Sequence, residues 1–198
     1  MARTAFLGTA VLAVLLGGCA TGKKDGPPPV RINQDPYPST YHRYSGAVTA
    51  IRGATVFDGE GAQIDNGTVV LADGVVQTVG DAATPIPEGA VVVDAAGKWV
   101  TPGVIDVHSH LGDYPSPGTE GLDDGNEATA PARPDVWAEH SVWPQDPGFS
   151  RALVNGGVTS LQILPGSANL FGGRSVVLKN VPARTMQGMK FPGARYGL

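Results

Sequence analysis

The sequence predicts a mixed α/β protein in which a small β-rich unit precedes the opening of a parallel α/β sheet. Two patterns point there. Short apolar runs recur between Val48 and Val100 with turn residues between them, and a strand–helix–strand succession runs from Val104 to Leu164. Composition agrees: 41% hydrophobic residues are ordinary for a globular chain, and 28 glycines with 17 prolines suit many short strands joined by turns. The formal charge of −4 argues against nucleic acid, whose binders present basic surfaces.

The amino terminus reads as an export signal. Arg3 supplies a positive start and Ala5 to Leu16 an apolar stretch too short to span a bilayer. It ends at Leu16-Gly17-Gly18-Cys19, which resembles a bacterial lipobox, with residues 1–19 as the signal peptide. That resemblance implies acylation of Cys19 and a membrane partnership through the lipid anchor. The protein would sit in the cell envelope facing the periplasm, and Ala20 in place of aspartate points to the outer membrane. Cys19 is the sole cysteine, so no intrachain disulfide can form. Residues 20–46 are rich in Gly, Pro and Lys and lack apolar periodicity, so a flexible tether is expected, with its tyrosines and His42 in solvent.

Residues 47–101 form the β-rich unit. Thr68 to Leu71 and Val75 to Val79 flank Asp73-Gly74, a hairpin signal, and further short strands are expected at Ala90 to Val93 and Lys98 to Val100. An antiparallel arrangement is the expectation for strands so closely spaced.

The next run, Pro102-Gly103-Val104-Ile105-Asp106-Val107-His108-Ser109-His110, carries the chemistry. On a strand, side chains two apart share a face, so His108 and His110 point the same way and can reach one metal ion. Ser109 points to the other face. Asp106 has the histidines' parity, either orienting an imidazole or lying as a hydrogen-bonded carboxylate deeper in the sheet.

This run resembles the signature that opens the barrel of the amidohydrolase superfamily. The resemblance covers most of the chain from about Val48, and the part around Gly156 to Gly193 is similar to imidazolonepropionase-related members and metal-dependent dipeptidases. It implies a β-sandwich part over 47–101 and a (β/α)8 TIM barrel starting within 102–198. It further implies a divalent metal, zinc by preference, and a small amide or cyclic amide as substrate. A complete barrel takes about 250 residues, more than twice the stretch from Val104 to Leu198. The family's later ligands are a bridging lysine or acid, two further histidines and a late aspartate, and no matching motif for them follows. An incomplete barrel of the first few β/α units, without a competent active site, is therefore expected. A lipid-anchored binding domain without catalysis, or a decayed gene product, are the alternatives. Oligomerisation is left open, and no catalytic residue is assigned.

Within 102–198, a polar stretch from Gly112 to about Pro134 reads as an active-site loop, and Pro134 to His140 as a short helix. His140 is a substrate-binding candidate by location alone. Asp146-Pro147 resembles an N-cap with proline at the first helical position, and the helix ends at Gly156-Gly157. Val158 to Leu164 is a strand. The glycine-rich run Pro165 to Arg174 lacks the Gly-Lys-Ser/Thr ending of a phosphate loop and reads as an active-site loop. Arg174, with its planar fork, is a candidate for a substrate carboxylate, and a solvated surface arginine is the alternative. Ser175 to Leu178 is a further short strand.

Labelled palmitate should enter the precursor through Cys19, and Cys19→Ser should abolish labelling and free the protein from membranes. Membrane retention without label would remove the lipoprotein reading.

Overall fold

Asp73 and Gly74 both take positive φ, 52° and 71°, the pairing that a two-residue type I′ hairpin needs to match strand twist. In the computed structural model, which describes residues 26, 28–31 and 33–194, this bend joins β2 (Gln63–Ala72) to β3 (Val75–Gly80). Cys19 and the residues expected to form a signal peptide lie outside the described residues. The chain divides at Gln34; the described residues before that point hold no helix or strand.

The first sheet is ordered β3-β2-β1-β4, where β1 is Thr49–Phe57 and β4 is Val91–Asp94. β5 (Trp99–Val100) pairs with the far end of β1. The hairpin neighbours are antiparallel, but β4 and β5 run parallel to β1. The expectation of a wholly antiparallel unit is corrected here. Residues 81–90 return the chain across the sheet to the free side of β1, so β4 runs in the same direction as β1. Ala54, Val56, Val69 and Ala95 form its small core, with Ile51, Ile64, Leu71 and Val100 packed around them.

The second sheet is ordered β6-β7-β8, from β6 (Val104–Ser109), β7 (Val158–Ile163) and β8 (Val176–Lys179). β6 and β7 are parallel, with α1 (Pro147–Gly156) between them in sequence, as one β/α unit requires. Both helix signals hold. The Asp146 carboxylate accepts the Gly148 N–H, and Gly157 stops the helix at φ 62° with its own N–H on Ala152 and Leu153 carbonyls. β8, however, is antiparallel to β7 and follows a loop, not a helix. Among the described residues there is one β/α unit and a reversed strand where several β/α units were expected. Pro165 with Gly166, Gly172 and Gly173 denies the connection a helix. Phe149, Leu161, Ile163, Val176, Leu178 and Met189 fill the core between this sheet and the two helices, α1 and α2 (Met186–Met189). Buried Asn180 ties them, its amide donating to the carbonyls of Phe149 and Val158.

Residues 35–46 do not hang free as the tether expectation had it. Ser39 Oγ donates to the Lys190 carbonyl at 2.6 Å, Thr40 N–H to Gln187 at 2.9 Å and Tyr44 OH to Pro182 at 2.7 Å. The cause is Lys190, only 3% exposed. A buried ammonium needs partners, and it donates to Glu139 Oε2 at 2.5 Å, Asp35 Oδ1 at 2.7 Å and the Tyr37 carbonyl at 2.9 Å. Two of the three come from this segment. His42 is exposed, as expected.

Among the described residues no helix is long and apolar enough to cross a membrane.

Asp146 does more than cap. Its Oδ2 accepts the Gly112 N–H and its Oδ1 that of Ser116, both at 3.0 Å, besides Gly148 at 2.8 Å. Asp146→Ala should cost about 3 kcal/mol, a lost cap plus stranded N–H groups, and Asp146→Asn less. Thermal unfolding checks this: a fall of about 10 °C is expected, and one under about 2 °C would refute it.

Candidate metal centre and adjoining cavity

β6 reaches the site through a bulge. Asp106 pairs with Leu161 and Ser109 with Ile163, so three steps along β6 match two along β7, and the extra residue falls at Val107–His108. Asp106 Oδ1 accepts the His108 backbone N–H at 3.1 Å and supports the bend. That carboxylate thus contacts main chain, not an imidazole. Ser109 turns into the core, 5% exposed, and leaves His108 and His110 on the open side.

The two imidazoles meet edge to face with ring centres 5.4 Å apart. His110 Nδ1 lies 2.8 Å from the Leu164 carbonyl. A carbonyl only accepts, so Nδ1 carries a proton, and in the neutral imidazole Nε2 then keeps its lone pair for a ligand. Backbone anchoring of this kind is how a metal-binding histidine is usually oriented. The His108 ring makes no hydrogen bond among the described residues.

The spacing passes a simple fit test. Two imidazoles bound to one tetrahedral zinc through bonds of about 2.0–2.1 Å have ring centres about 5 Å apart. The set is not closed: among the described residues no three His, Cys, Asp or Glu side chains stand together so as to hold an ion. His108 and His110 thus fit as part of a metal site.

The loop beyond the histidines is fixed from beneath. Gly112 takes φ +86°, and a Cβ there would lie 2.9 Å from Val142 Cγ1, so only glycine makes this turn. Asp113 follows, fully buried, with one oxygen accepting from Ser141 Oγ at 3.0 Å and the other unpartnered. Burial pushes its carboxyl up to about 7; the Ser141 bond opposes the shift and the nearby Asp124 charge adds to it. Tyr114 sets its ring edge against His110, with centres 5.6 Å apart.

Beside His108 opens a cavity of about 640 Å³, walled by residues 164–167 and 169–173 with Ala132 and Pro134. The glycine-rich run therefore lies at the histidine strand, as an active-site loop would.

Arg174 and His140 sit elsewhere. The Arg174 guanidinium lies over the Trp137 ring at 4.3 Å, Trp137 stacks on His140 with centres 5.8 Å apart, and Tyr37 meets His140 edge-on at 5.3 Å. This column does not wall the cavity, and the rings His140 contacts are not those of the histidine pair. The expected short helix around His140 is a 3-10 turn, Ala138–His140, since Trp137 is drawn into a bridge with Arg174. Sequence reasoning missed two participants, the Leu164 carbonyl and buried Asp113. A carbonyl leaves no residue-type signal, and Asp113 is an ordinary charged residue until its burial is known.

No family model matches the chain. It is 39% identical over 120 residues to Amidohydrolase tasK of Hapsidospora irregularis, covering 60% of this chain and 12% of that protein. It is 32% identical over 126 residues to the dihydroorotase of Citrifermentans bemidjiense, covering 64% of this chain and 24% of that one. The crystal structure of an amidohydrolase from Thermotoga maritima MSB8 matches with a TM-score of 0.65 and 36% identity, over 73% of this chain and 37% of the other. These relatives are amidohydrolase-superfamily members. The chain spans 12% to 24% of the length of the two curated relatives.

Proposed function

We propose that the chain belongs to a metal-dependent hydrolase of the amidohydrolase type, acting on carbon–nitrogen bonds of small amides, cyclic amides or dipeptide-like amides. One observation carries the reading: His108 and His110 converge while the Leu164 carbonyl fixes the His110 tautomer that leaves Nε2 available. In this reading the pair supplies two ligands to a divalent ion, zinc by preference. Such an ion, when bound, polarises an amide carbonyl and lowers the pKa of water. The chain's own residues hold the geometry: Asp106 supports the bulge, Leu164 orients one imidazole, and Asp146 with Gly112 fixes the turn behind them. Two imidazoles fall short of the three protein ligands usual at catalytic zinc, so the described residues by themselves make an incomplete, inactive site. The barrel that completes such a site in the resembling family, a lipid anchor at Cys19 and a position facing the periplasm are parts of the same proposal.

Zinc titration of the chain should show one weak site. His108→Ala and His110→Ala should each abolish it, and Ser109→Ala should leave it, because Ser109 faces the core. Amide hydrolysis by any form of the protein with a complete site should be lost in the same two variants. Zinc binding unchanged in both histidine variants would contradict the reading.

A further inference from the structure

The cavity beside His108 has a chemical character of its own. Its volume of about 640 Å³ lies within the roughly 300–1,000 Å³ of small-molecule pockets. Apart from His108, no side chain lining it is ionisable. Pro134, Pro165, Leu170 and Phe171 give it apolar walls, and Leu170 and Phe171 stand 80% and 64% exposed. Exposed apolar side chains this large, grouped around a cavity, mark a binding surface more often than scattered ones do.

Several of the loop's polar groups are engaged elsewhere. Gly166 N–H donates to Gly125 at 2.6 Å, Phe171 N–H to Pro131 at 3.1 Å, and the Phe171 carbonyl accepts from Arg133 at 2.8 Å. Ala168 N–H is held by Asn126 Oδ1 at 3.1 Å, and both Asn169 amide bonds, to Glu127 and Ala130, are 2.7 Å. The Leu164 carbonyl is taken by His110. Segment 125–133 thus holds much of the loop's hydrogen-bonding capacity, and Ser167 and Asn169 are the only polar side chains besides His108 among the described residues that line the cavity. A charged group entering it would exchange water for a lining that, His108 apart, offers no charged side chain. The arginines that flank lining residues in sequence are committed elsewhere, Arg174 to the Trp137 face and Arg133 to Glu127 and Asp135.

We infer that this cavity is the side-group subsite of the substrate, that it takes an uncharged aliphatic or aromatic group, and that Leu170 and Phe171 set this preference. The inference rests on the hydrolase reading, since His108 in the cavity wall is what places the scissile amide at its rim. A substrate with an apolar side group on a neutral amide fits; one with a carboxylate at that position does not.

Binding without metal tests it apart from hydrolysis. The probes are N-acetylphenylalaninamide and N-acetylaspartic acid amide, followed by amide chemical-shift changes in the full chain. The neutral probe should bind about tenfold more tightly and shift residues 164–173. Leu170→Asp with Phe171→Asp should remove that preference, and Leu170→Ala with Phe171→Ala should weaken the neutral probe alone. Both positions are exposed and bond through main chain only, so the fold should survive; thermal unfolding of each variant verifies this. Equal binding of the two probes, no binding of either, or shifts away from residues 164–173 would overturn the inference. Loss of zinc binding with the preference intact would count against the metal reading and not against this one.

Discussion

Asp146 receives three backbone N–H groups, from Gly112, Ser116 and Gly148. It is 3% exposed, and Gly112 and Gly148 are buried with it, so these two donors have no water as an alternative partner. Through this carboxylate the start of α1 and the turn after His110 are one object. The helix terminus favours a negative charge there, and the turn gains a fixed point immediately beyond the histidines. Gly112 completes the arrangement, because any side chain at φ +86° would strike Val142 and Phe149. The position of His110 is therefore set by core packing, which is stiffer than a surface loop.

From the other side, β7 sets the histidines. Its continuation, Leu164, presents the carbonyl that holds His110 Nδ1, and the Leu164 N–H returns to Ser109. The loop that starts there also walls the cavity beside His108. Imidazole orientation and cavity shape thus share one segment, and a displacement of residues 164–173 would change both. The support for that segment is 125–133, which bonds to Gly166, Ala168, Asn169 and Phe171.

Local signals were legible in the sequence. Asp73-Gly74 gave its hairpin, Asp146-Pro147 and Gly157 gave both ends of α1, and alternation along β6 put His108 and His110 together with Ser109 opposed. The bulge at Val107–His108 was not foreseen, because it depends on register with β7. Non-local direction was equally hidden. β4 and β5 parallel to β1, and β8 antiparallel to β7, depend on where connections carry the chain, and composition does not encode that. Segment 35–46 read as a tether because its partner, Lys190, is about 150 positions away and looks solvated until its burial is known. Arg174 and His140 lay near the site in sequence, yet Trp137 gathers them into a stack of its own.

The central claim is that His110, locked by Leu164, offers Nε2 beside His108 to a shared ion. Long-range proton–nitrogen NMR of the histidine rings, with and without zinc, addresses it most directly. The account predicts that His110 is protonated at Nδ1 in the free protein, and that zinc moves the Nε2 signals of His108 and His110 together while leaving exposed His42 unchanged. A His110 protonated at Nε2, or a zinc response at only one ring of the pair, would contradict it.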